Sequence, residues 1–304
     1  MNRTHDDHKV RRAGRLVGGM AAVLALGGCY EPPPPPPTPD IIVYSSTVSG
    51  NREIWKASVV GASISNQVKL TTTAASEFSP AISPDGQRVV FHRPGSGLFT
   101  VSTDGVGGEV QITTNPNDSD PSWSPDGSKI AFDRTNQDIW IVPVNAAGPT
   151  GPAINLTNDA FVDNSPTWSP DGLRLAYDRY IVGGSTDVIV MDADGTDPVN
   201  ISNDPLSTSE EYSPDWSPDG TRLVMTSNRT PAASSNLYTA APDGSGFASI
   251  TVVGGMSNAL EPRYSPDGGR LAYYRNSDLE ILNLSTGVRT VIVAAAGIDN
   301  EPDW

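Results

Sequence analysis

Length, composition and charge narrow the possible classes of protein before any motif is considered. The chain has 304 residues, of which 29 are Gly and 27 are Pro, and its formal net charge at pH 7 is −15. A strongly acidic chain with only 18 % charged residues is poorly suited to neutralising phosphates, so nucleic-acid binding is disfavoured. Short apolar runs separated by Gly, Pro, Asp and Asn favour strands over long helices, and we predict an all-β protein.

The first 28 residues have the features of an export signal. Basic residues precede an eleven-residue apolar stretch, Leu16 to Leu26, which is too short to span a bilayer as a helix. The next residues, Gly27-Gly28-Cys29, complete a likeness to the bacterial lipobox, and Cys29 is the single cysteine of the chain. The sequence therefore predicts a lipoprotein signal peptide over residues 1–28 and lipidation of Cys29. The alternative is a plain secretory signal with a chance cysteine.

A proline tract follows the signal. The prolines from Pro32 to Pro37 have no backbone N–H donor and favour polyproline II, which rises about 3.1 Å per residue. Residues 29–39 are therefore predicted to form a lipidated cysteine and a semi-rigid tether. Tyr30, rather than Asp, follows the cysteine, which by the usual lipoprotein sorting rule favours the outer membrane. We expect an exported protein on the periplasmic face of the outer membrane or on the cell surface, attached to the membrane only by lipid.

The rest of the chain contains one motif written five times. Ser-Pro-Asp-Gly begins at five serines spaced 41 to 48 residues apart, namely Ser83, Ser124, Ser169, Ser217 and Ser265. A period of about 40 to 50 residues is typical of propeller blades. Because Pro presets φ for a tight turn and Gly accepts a left-handed conformation, each motif predicts a hairpin between two strands.

Each repeat contains four predicted strands, and the two ends of the chain together supply a sixth repeat. Residues 41–44 match a second strand and residues 54–55 a third, whereas the last four residues match a first strand. Pairing the last strand with the first would close a ring and cover free edges, whereas an open solenoid would leave uncapped half-blades. We predict a six-bladed β-propeller of four-stranded antiparallel blades over residues 40–304, closed by N- and C-terminal strands that share one blade.

The order of short motifs within each repeat resembles a known family. The repeats run Pro-x-Trp-Ser-Pro-Asp-Gly, a strand ending Phe/Tyr-x-Arg, Asp-Ile-Trp, Asp-Gly and Leu-Thr, which is similar to the TolB-like propeller repeat over nearly all of the mature chain. The resemblance implies a protein-binding scaffold of the bacterial envelope, with a peptidoglycan-associated lipoprotein as candidate partner. The chain is expected to lack the separate N-terminal α/β domain that carries the TolA contact in TolB.

The connections at one end of the predicted ring are rich in charge. The first proline of Pro-x-Trp-Ser-Pro-Asp-Gly, and its equivalent in each blade, is called the motif proline here. In five blades a carboxylate stands three residues before it: Glu77, Asp118, Asp163, Glu211 and Asp299. Arginines end the second strands of four blades: Arg93, Arg134, Arg179 and Arg275. These nine residues are the candidates for a binding face. Three further acidic residues stand nearer the proline: Asp120, Glu261 and Glu301.

Two interpretations of this charged ring are open. Carboxylates at a channel mouth would hold Ca²⁺, which prefers oxygen ligands in loose geometry, and the residues concerned would be Asp118, Asp163, Glu211 and Asp299. Alternatively, the arginines pair with carboxylates of neighbouring loops, which would neutralise the ring and fix the spacing of the blades. Apart from Ca²⁺ at this ring, no cofactor is expected. The recurring tryptophans are expected to pack between blades.

The sequence offers little for catalysis. His92 is the only histidine after the leader, so a Ser-His-Asp or Cys-His hydrolase lacks parts, and no catalytic residue is assigned. The alternatives are a carboxylate-based carbohydrate enzyme, a lyase or glycosidase, and a Ca²⁺-stabilised propeller that binds glycans. The favoured prediction is a non-catalytic, monomeric scaffold that binds an envelope protein and no nucleic acid.

Overall fold

Strands make up all the regular secondary structure in the described part of the chain. The computed structural model describes residues 40–60, 63–134, 138–181, 184–202, 209–229, 235–250, 252, 257–293 and 299–304. The predictions for the signal peptide, for Cys29 and for the proline tether lie outside these residues. Over the described ranges, no helix is long and apolar enough to cross a membrane.

Most of the 25 strands are short, as the spacing of the turn motifs requires. In the first half of the chain they are β1 (Asp40–Ser46), β2 (Glu53–Val60), β3 (Ser63–Lys69), β4 (Phe78–Ile82), β5 (Arg88–Arg93), β6 (Gly97–Ser102), β7 (Val110–Gln111), β8 (Asp118–Trp123), β9 (Lys129–Arg134), β10 (Asp138–Asn145), β11 (Gly148–Pro149) and β12 (Ile154–Asn155). In the second half they are β13 (Val162–Trp168), β14 (Arg174–Ile181), β15 (Ser185–Asp192), β16 (Val199–Asn200), β17 (Glu211–Trp216), β18 (Leu223–Ser227), β19 (Asn236–Ala240), β20 (Ala248–Ser249), β21 (Ala259–Tyr264), β22 (Arg270–Arg275), β23 (Asp278–Asn283), β24 (Arg289–Val293) and β25 (Asp299–Asp303).

The strands form six antiparallel sheets, which are the six blades. From first strand to fourth, blade 1 is β25-β1-β2-β3, blade 2 is β4-β5-β6-β7, blade 3 is β8-β9-β10 with β11 and β12 both on β10, blade 4 is β13-β14-β15-β16, blade 5 is β17-β18-β19-β20 and blade 6 is β21-β22-β23-β24. In blade 1 the last strand of the chain pairs with the first, with Val43 opposite Asp303. The six-bladed propeller and its shared closing blade are therefore confirmed.

Six apolar cores lie between neighbouring blades rather than within them. One core joins Ile42 and Tyr44 of blade 1 to Leu279 and Ile281 of blade 6, and another joins Ile54 of blade 1 to blade 2. The alternation of side chains along each strand supplies residues to both flanks of a blade, as a twice-covered sheet requires. Blade 1 is thus packed on both sides, so the ring is closed by side chains as well as by strand pairing.

The predicted tryptophans belong to these cores. Trp168 and Trp216 are buried between blades 3 and 4 and between blades 4 and 5. Trp123 and Trp304 are partly buried against the corresponding cores of blades 3 and 1. Each tryptophan lies at the end of a first strand or directly after it, where it fills the space beside the preceding blade.

Every Ser-Pro-Asp-Gly motif forms the predicted turn between a first and a second strand. In blade 4, Ser169 Oγ donates to Asp171 Oδ1 at 2.5 Å and accepts the N–H of Arg174 at 2.9 Å. Gly172 has φ +70°, a left-handed conformation that glycine adopts at low cost. The five turns therefore share one geometry.

Antiparallel blades place their connections at two ends of the ring. The end with the Ser-Pro-Asp-Gly turns is called the turn face here, and it also carries the links from third to fourth strands. The opposite end, the loop face, carries the links from second to third strands and from each blade to the next. The charged residues singled out from the sequence belong to the loop-face end.

Candidate functional site

Buried carboxylates meet arginines at the loop-face end of the first and second strands. In blade 3, Asp118 lies opposite Arg134, whose Nε donates to Asp118 Oδ1 at 2.7 Å. In blade 4, Arg179 Nε donates to Asp163 Oδ1, also at 2.7 Å, and its Nη2 donates to Asp159 at 2.7 Å. These pairs join two strands of one blade, whereas the sequence interpretation had placed the pairing between neighbouring loops.

Blades 2 and 5 carry the same arrangement with glutamate. Arg93 Nη2 lies 2.9 Å from Glu77 Oε1, and Arg229 Nη2 lies 3.3 Å from Glu211 Oε2. Arg229, rather than a strand-end arginine, serves blade 5, where Ser227 ends the second strand. The spacing signal in the sequence thus locates the carboxylate in every one of these blades and the arginine in three of them.

The four carboxylates are inaccessible to solvent. The side chains of Glu77, Asp118, Asp163 and Glu211 are 0 % exposed, and those of the paired arginines are 11 to 24 % exposed. Burial raises the pKa of Glu77, Asp163 and Glu211 above the ordinary values, against the opposing effect of their hydrogen bonds. These acids therefore hold the blades together internally, and only the arginine edges reach the loop face.

Blade 6 departs from the pattern, and blade 1 is only partly described. Ala259 stands where the other blades have the carboxylate, so Arg275 binds Glu280 of the third strand instead, at 2.9 Å. Glu280 also accepts a hydrogen bond from the hydroxyl of Tyr273 at 2.5 Å. Asp299 begins β25, and its side chain lies outside the described part of the structure.

A threonine links the buried acid of one blade to the blade before it. Thr71 follows β3 of blade 1, and its hydroxyl lies 2.8 Å from Glu53 Oε2 of that blade and 2.9 Å from Glu77 Oε2 of blade 2. The same hydroxyl accepts the N–H of Ile54 at 2.9 Å. The Leu-Thr motif of the repeat therefore caps the third strand and joins neighbouring blades.

The predicted calcium ligands lie in separate blades. Asp118, Asp163 and Glu211 are each paired with an arginine of their own blade, and Asp299 begins β25. In the ranges that the structure describes, no group of three or more His, Cys, Asp or Glu residues is placed to hold a metal ion. The calcium hypothesis stays a prediction.

A central cavity of about 380 Å³ is lined by the first strands, and its walls contain six residues with one unusual conformation. Each precedes the motif proline and has φ between 44° and 54°: Ser79, Asp120, Ser165, Ser213, Glu261 and Glu301. Non-glycine residues rarely adopt this region. The strand pairing shifts register there, so each X-Pro step is a β-bulge, which proline tolerates because it has no N–H to pair. This set is called the pre-proline ring.

Hydrogen bonds run around the pre-proline ring from blade to blade. The N–H of Ser79 donates to Glu301 Oε2 at 2.8 Å, and the N–H of Glu301 donates to Glu261 Oε2 at 2.9 Å. Ser79 Oγ also donates to Asp120 Oδ1 at 2.5 Å. Burial and the neighbouring Glu261 raise the pKa of Glu301 to about 7. The three acids nearest the prolines thus line the cavity.

Two more aspartates stand behind this ring, on second strands. Asp178 accepts the N–H of Ser213 in the next blade at 3.2 Å, and burial raises its pKa to about 7. Asp133 accepts a hydrogen bond from Ser119 at 2.8 Å, and burial raises its pKa well above the ordinary value. The equivalent position in blade 2 is His92, whose pKa is lowered by burial.

A second ring lies two residues further along each first strand, towards the turn face. It consists of Ala81, Ser122, Thr167, Asp215, Arg263 and Asp303, all of which line the cavity. Asp303 accepts the N–H of Ile82 at 2.7 Å and Asp215 accepts that of Tyr264 at 2.7 Å, so both aspartates join adjacent blades. Burial raises the pKa of Asp303 to about 7. The sequence reasoning missed this ring, although its members all follow the motif proline directly.

At the loop face, strand pairing extends further in blade 4 than in the other blades. Pairing of β14 with β15 continues past Arg179 and Asp187 for two more residue pairs, Tyr180 with Thr186 and Ile181 with Ser185. In the other blades the described pairing stops at the position equivalent to Arg179. At about 3.4 Å per residue, the paired part of this hairpin is about 7 Å longer than that of the other blades.

Two exposed aromatic residues lie at this end of blade 4, Tyr180 within the hairpin and Phe161 just before the first strand. Phe161 is 38 % exposed and Tyr180 is 44 % exposed. The guanidinium carbon of Arg179 lies 4.8 Å from the centre of the Phe161 ring. Neither aromatic residue was singled out from the sequence, because nothing in the repeat pattern marks a hairpin that is two pairs longer than the others.

A closed ring of six four-stranded blades around a lined channel defines the class of this protein as a six-bladed β-propeller. More specifically, residues 149–304 match the TolB beta propeller domain, and the chain belongs to that family. No curated protein sequence matches the chain.

Solved structures with the same fold include proteins that are named as TolB and as an enzyme. TolB from Acinetobacter baumannii is similar with a TM-score of 0.71 at 18 % identity, over 87 % of this chain and 66 % of that one. A putative TolB from Agrobacterium tumefaciens is similar with a TM-score of 0.63 at 18 % identity, over 86 % of this chain and 97 % of that one. An oligogalacturonate lyase from Vibrio parahaemolyticus is similar with a TM-score of 0.58 at 14 % identity, over 82 % of this chain and 73 % of that one. This chain spans just under two thirds of the Acinetobacter TolB, and at these identities the likeness shows the fold.

Proposed function

We propose that this propeller is a non-catalytic scaffold of the bacterial envelope that binds a protein partner through its loop face. Membership of the TolB propeller family supports a scaffold role. The proposal includes export and attachment by lipid at Cys29, which rest on the sequence of the leader. A peptidoglycan-associated lipoprotein is the candidate partner that the TolB resemblance implies.

The observation that carries this proposal is the longer hairpin of blade 4 with its exposed aromatic residues. Aromatic and arginine side chains contribute most to binding in protein interfaces, and this end of blade 4 carries Arg179 packed on Phe161 and the exposed Tyr180 next to Arg179 in the strand. Asp159 and Glu210 flank them, the latter through its bridge to Thr186. Exposed aromatic residues with acids nearby suit a partner surface that has apolar residues surrounded by basic ones.

Crosslinking in intact cells followed by affinity capture tests this proposal. The double variant Phe161→Ala with Tyr180→Ala should recover at least tenfold less of the partner than the wild type, because both side chains are exposed and their loss leaves the cores unchanged. The matched control is Leu173→Ala, which removes an apolar side chain that is 67 % exposed on the turn face and should leave recovery unchanged. Equal recovery from all three proteins, or release of unsaturated products from oligogalacturonate by the purified protein, would contradict the proposal.

A further inference from the structure

The central cavity has an uneven wall at the level of the second ring. On one side stand the small side chains of Ala81, Ser122 and Thr167, and on the other stand Asp215, Arg263 and Asp303. Arg263 belongs to blade 6, directly across the ring from Ser122 of blade 3. The small residues therefore leave room in front of the guanidinium, and the cavity of about 380 Å³ falls within the range of small-ligand sites.

Arg263 is the charged group of this cavity whose hydrogen-bonding capacity is least used. In the part of the chain that the structure describes, its guanidinium makes one hydrogen bond, from Nη1 to the carbonyl of Pro262 at 2.9 Å. The neighbouring carboxylates accept backbone N–H groups of other blades, Asp303 from Ile82 and Asp215 from Tyr264. A guanidinium has five N–H donors in a planar fork, so Arg263 can still bind a carboxylate in a bidentate manner.

Acidic side chains line the same cavity two residues before the second ring along the first strands. Asp120, Glu261 and Glu301 of the pre-proline ring line the cavity on its loop-face side. Two residues of strand span at most about 7 Å. The cavity thus presents one cationic group, Arg263, which stands between Asp215 and Asp303 in the second ring, and a separate set of three acidic groups in the pre-proline ring.

We propose that the central cavity binds a short zwitterionic peptide, whose α-carboxylate lies on the guanidinium of Arg263 and whose α-ammonium lies among Asp120, Glu261 and Glu301. A dipeptide has its two end charges about 7 Å apart when extended, and the backbones of the two rings lie at most about 7 Å apart along each strand. The proline and tryptophan side chains of the wall, among them Pro121 and Trp123, provide an apolar lining for small side chains. This site is separate from the aromatic patch on blade 4, and the inference does not depend on the proposed protein partner.

Isothermal titration calorimetry with alanyl-alanine and the mature protein tests this inference. Alanyl-alanine should bind with one site per chain, whereas N-acetyl-alanyl-alanine and alanyl-alanine amide should each bind at least tenfold more weakly, because each lacks one of the two end charges. Arg263→Gln should abolish the binding of alanyl-alanine. The control Arg222→Gln removes a guanidinium at the turn face and should leave it unchanged.

Several results would overturn the inference. One is the absence of saturable binding at millimolar alanyl-alanine, and another is equal affinity for the free peptide and either blocked form. If Arg263→Gln does not fold, the blocked peptides still decide the question on the wild-type protein. If the protein binds alanyl-alanine but captures no envelope partner, the result supports this site and contradicts only the scaffold proposal.

Discussion

At the scale of single residues, the loop-face arginines stabilise the fold by pairing with buried carboxylates. Arg179 is the partner of Asp163, whose side chain is fully buried. Removing one partner of a buried ion pair leaves an unpaired buried charge, which costs about 3 to 5 kcal/mol. We therefore expect Arg179→Ala to lower the free energy of unfolding by about 3 kcal/mol, measured by urea unfolding.

The matched control for that substitution is Arg222→Ala on the turn face. Arg222 is exposed and binds Thr239 and the carbonyl of Gly246. Surface substitutions of this kind change stability by about 0.5 kcal/mol or less. An equal loss of unfolding free energy in the two variants would show that the buried ion pairs of the loop face stabilise the protein no more than surface contacts do.

Several carboxyl groups around the channel make stability depend on pH. Burial raises the pKa of Asp178, Glu301 and Asp303 to about 7. A carboxyl with a higher pKa in the folded chain binds its proton more tightly there, so stability falls as pH rises from about 4 to 7. We expect the urea midpoint to be higher at pH 5 than at pH 8, and Asp303→Asn should reduce this difference.

The aspartates of the Ser-Pro-Asp-Gly turns act in the opposite sense at lower pH. Hydrogen bonds from Ser124 and from the backbone and side chain of Ser128 lower the pKa of Asp126 to about 2. Stability from such a group is present above the ordinary pKa and is lost as pH falls through the lowered one. The stability maximum should therefore lie at about pH 4, and a urea midpoint that rises between pH 5 and pH 8 would contradict this assignment.

The sequence was most informative about residues whose role repeats in every blade. The turn residues, the buried carboxylates and most of their arginine partners follow from spacing alone. Their burial could not be foreseen, because the repeat pattern gives a position along the chain and not a depth in the ring. Arg263 and Glu280 escaped notice because each occurs in one blade only and so carries no periodic signal.

At the level of single elements, one hairpin turn has a backbone conformation that its sequence does not favour. The link between β22 and β23 has two residues, Asn276 with φ 52° and Ser277 with φ 76°. Two-residue hairpin links with both φ values positive favour Asn-Gly, because a serine pays a steric cost in the left-handed region. Ser277→Gly should raise the free energy of unfolding by about 1 kcal/mol, measured by urea unfolding.

The neighbouring residue provides the control for that turn. Asparagine tolerates the left-handed region better than most residues, so Asn276→Gly should change stability less than Ser277→Gly does. A loss of stability in Ser277→Gly would mean that the serine side chain makes a contact worth more than the strain.

The kinds of element were predictable, but their irregularities were not. The turn motifs locate the first and second strands in blades 2 to 6. The six bulges before the prolines were not foreseen, because a residue before proline ordinarily favours an extended conformation. Hydrogen bonds from other blades select the left-handed conformation there, for example the one from the N–H of Ser79 to Glu301. Such contacts exist only in the closed ring.

For the whole molecule, ring closure explains how the first and last strands are held. Trp304 packs with Ile42 and Ile281 in one core, and its Nε1 donates to the carbonyl of Arg263 at 3.2 Å. Both Trp304 and Asp40 lie at the turn face, where every other blade has a Ser-Pro-Asp-Gly link. The missing sixth turn is the break between the last strand and the first.

A circular permutant tests this closure. Joining Trp304 to Asp40 through Ser-Pro-Asp-Gly and opening the chain at the exposed turn between Ala146 and Ala147 should give a protein with the same cooperative melting as the mature chain, because all inter-blade cores are retained. The control has the same opening without the new link, so it consists of two polypeptides, residues 40–146 and 147–304, and its melting temperature should depend on protein concentration. A permutant that fails to fold would contradict the closure.

The function of the whole molecule depends on which face meets the partner, and site-specific photocrosslinking in intact cells tests this most directly. A photoreactive residue at position 180 replaces Tyr180 on the loop face, and one at position 173 replaces Leu173 on the turn face, each exposed and outside the cores. The account predicts one discrete protein adduct from position 180 and none from position 173. An adduct from position 173 alone, or none from either, would contradict a partner-binding loop face.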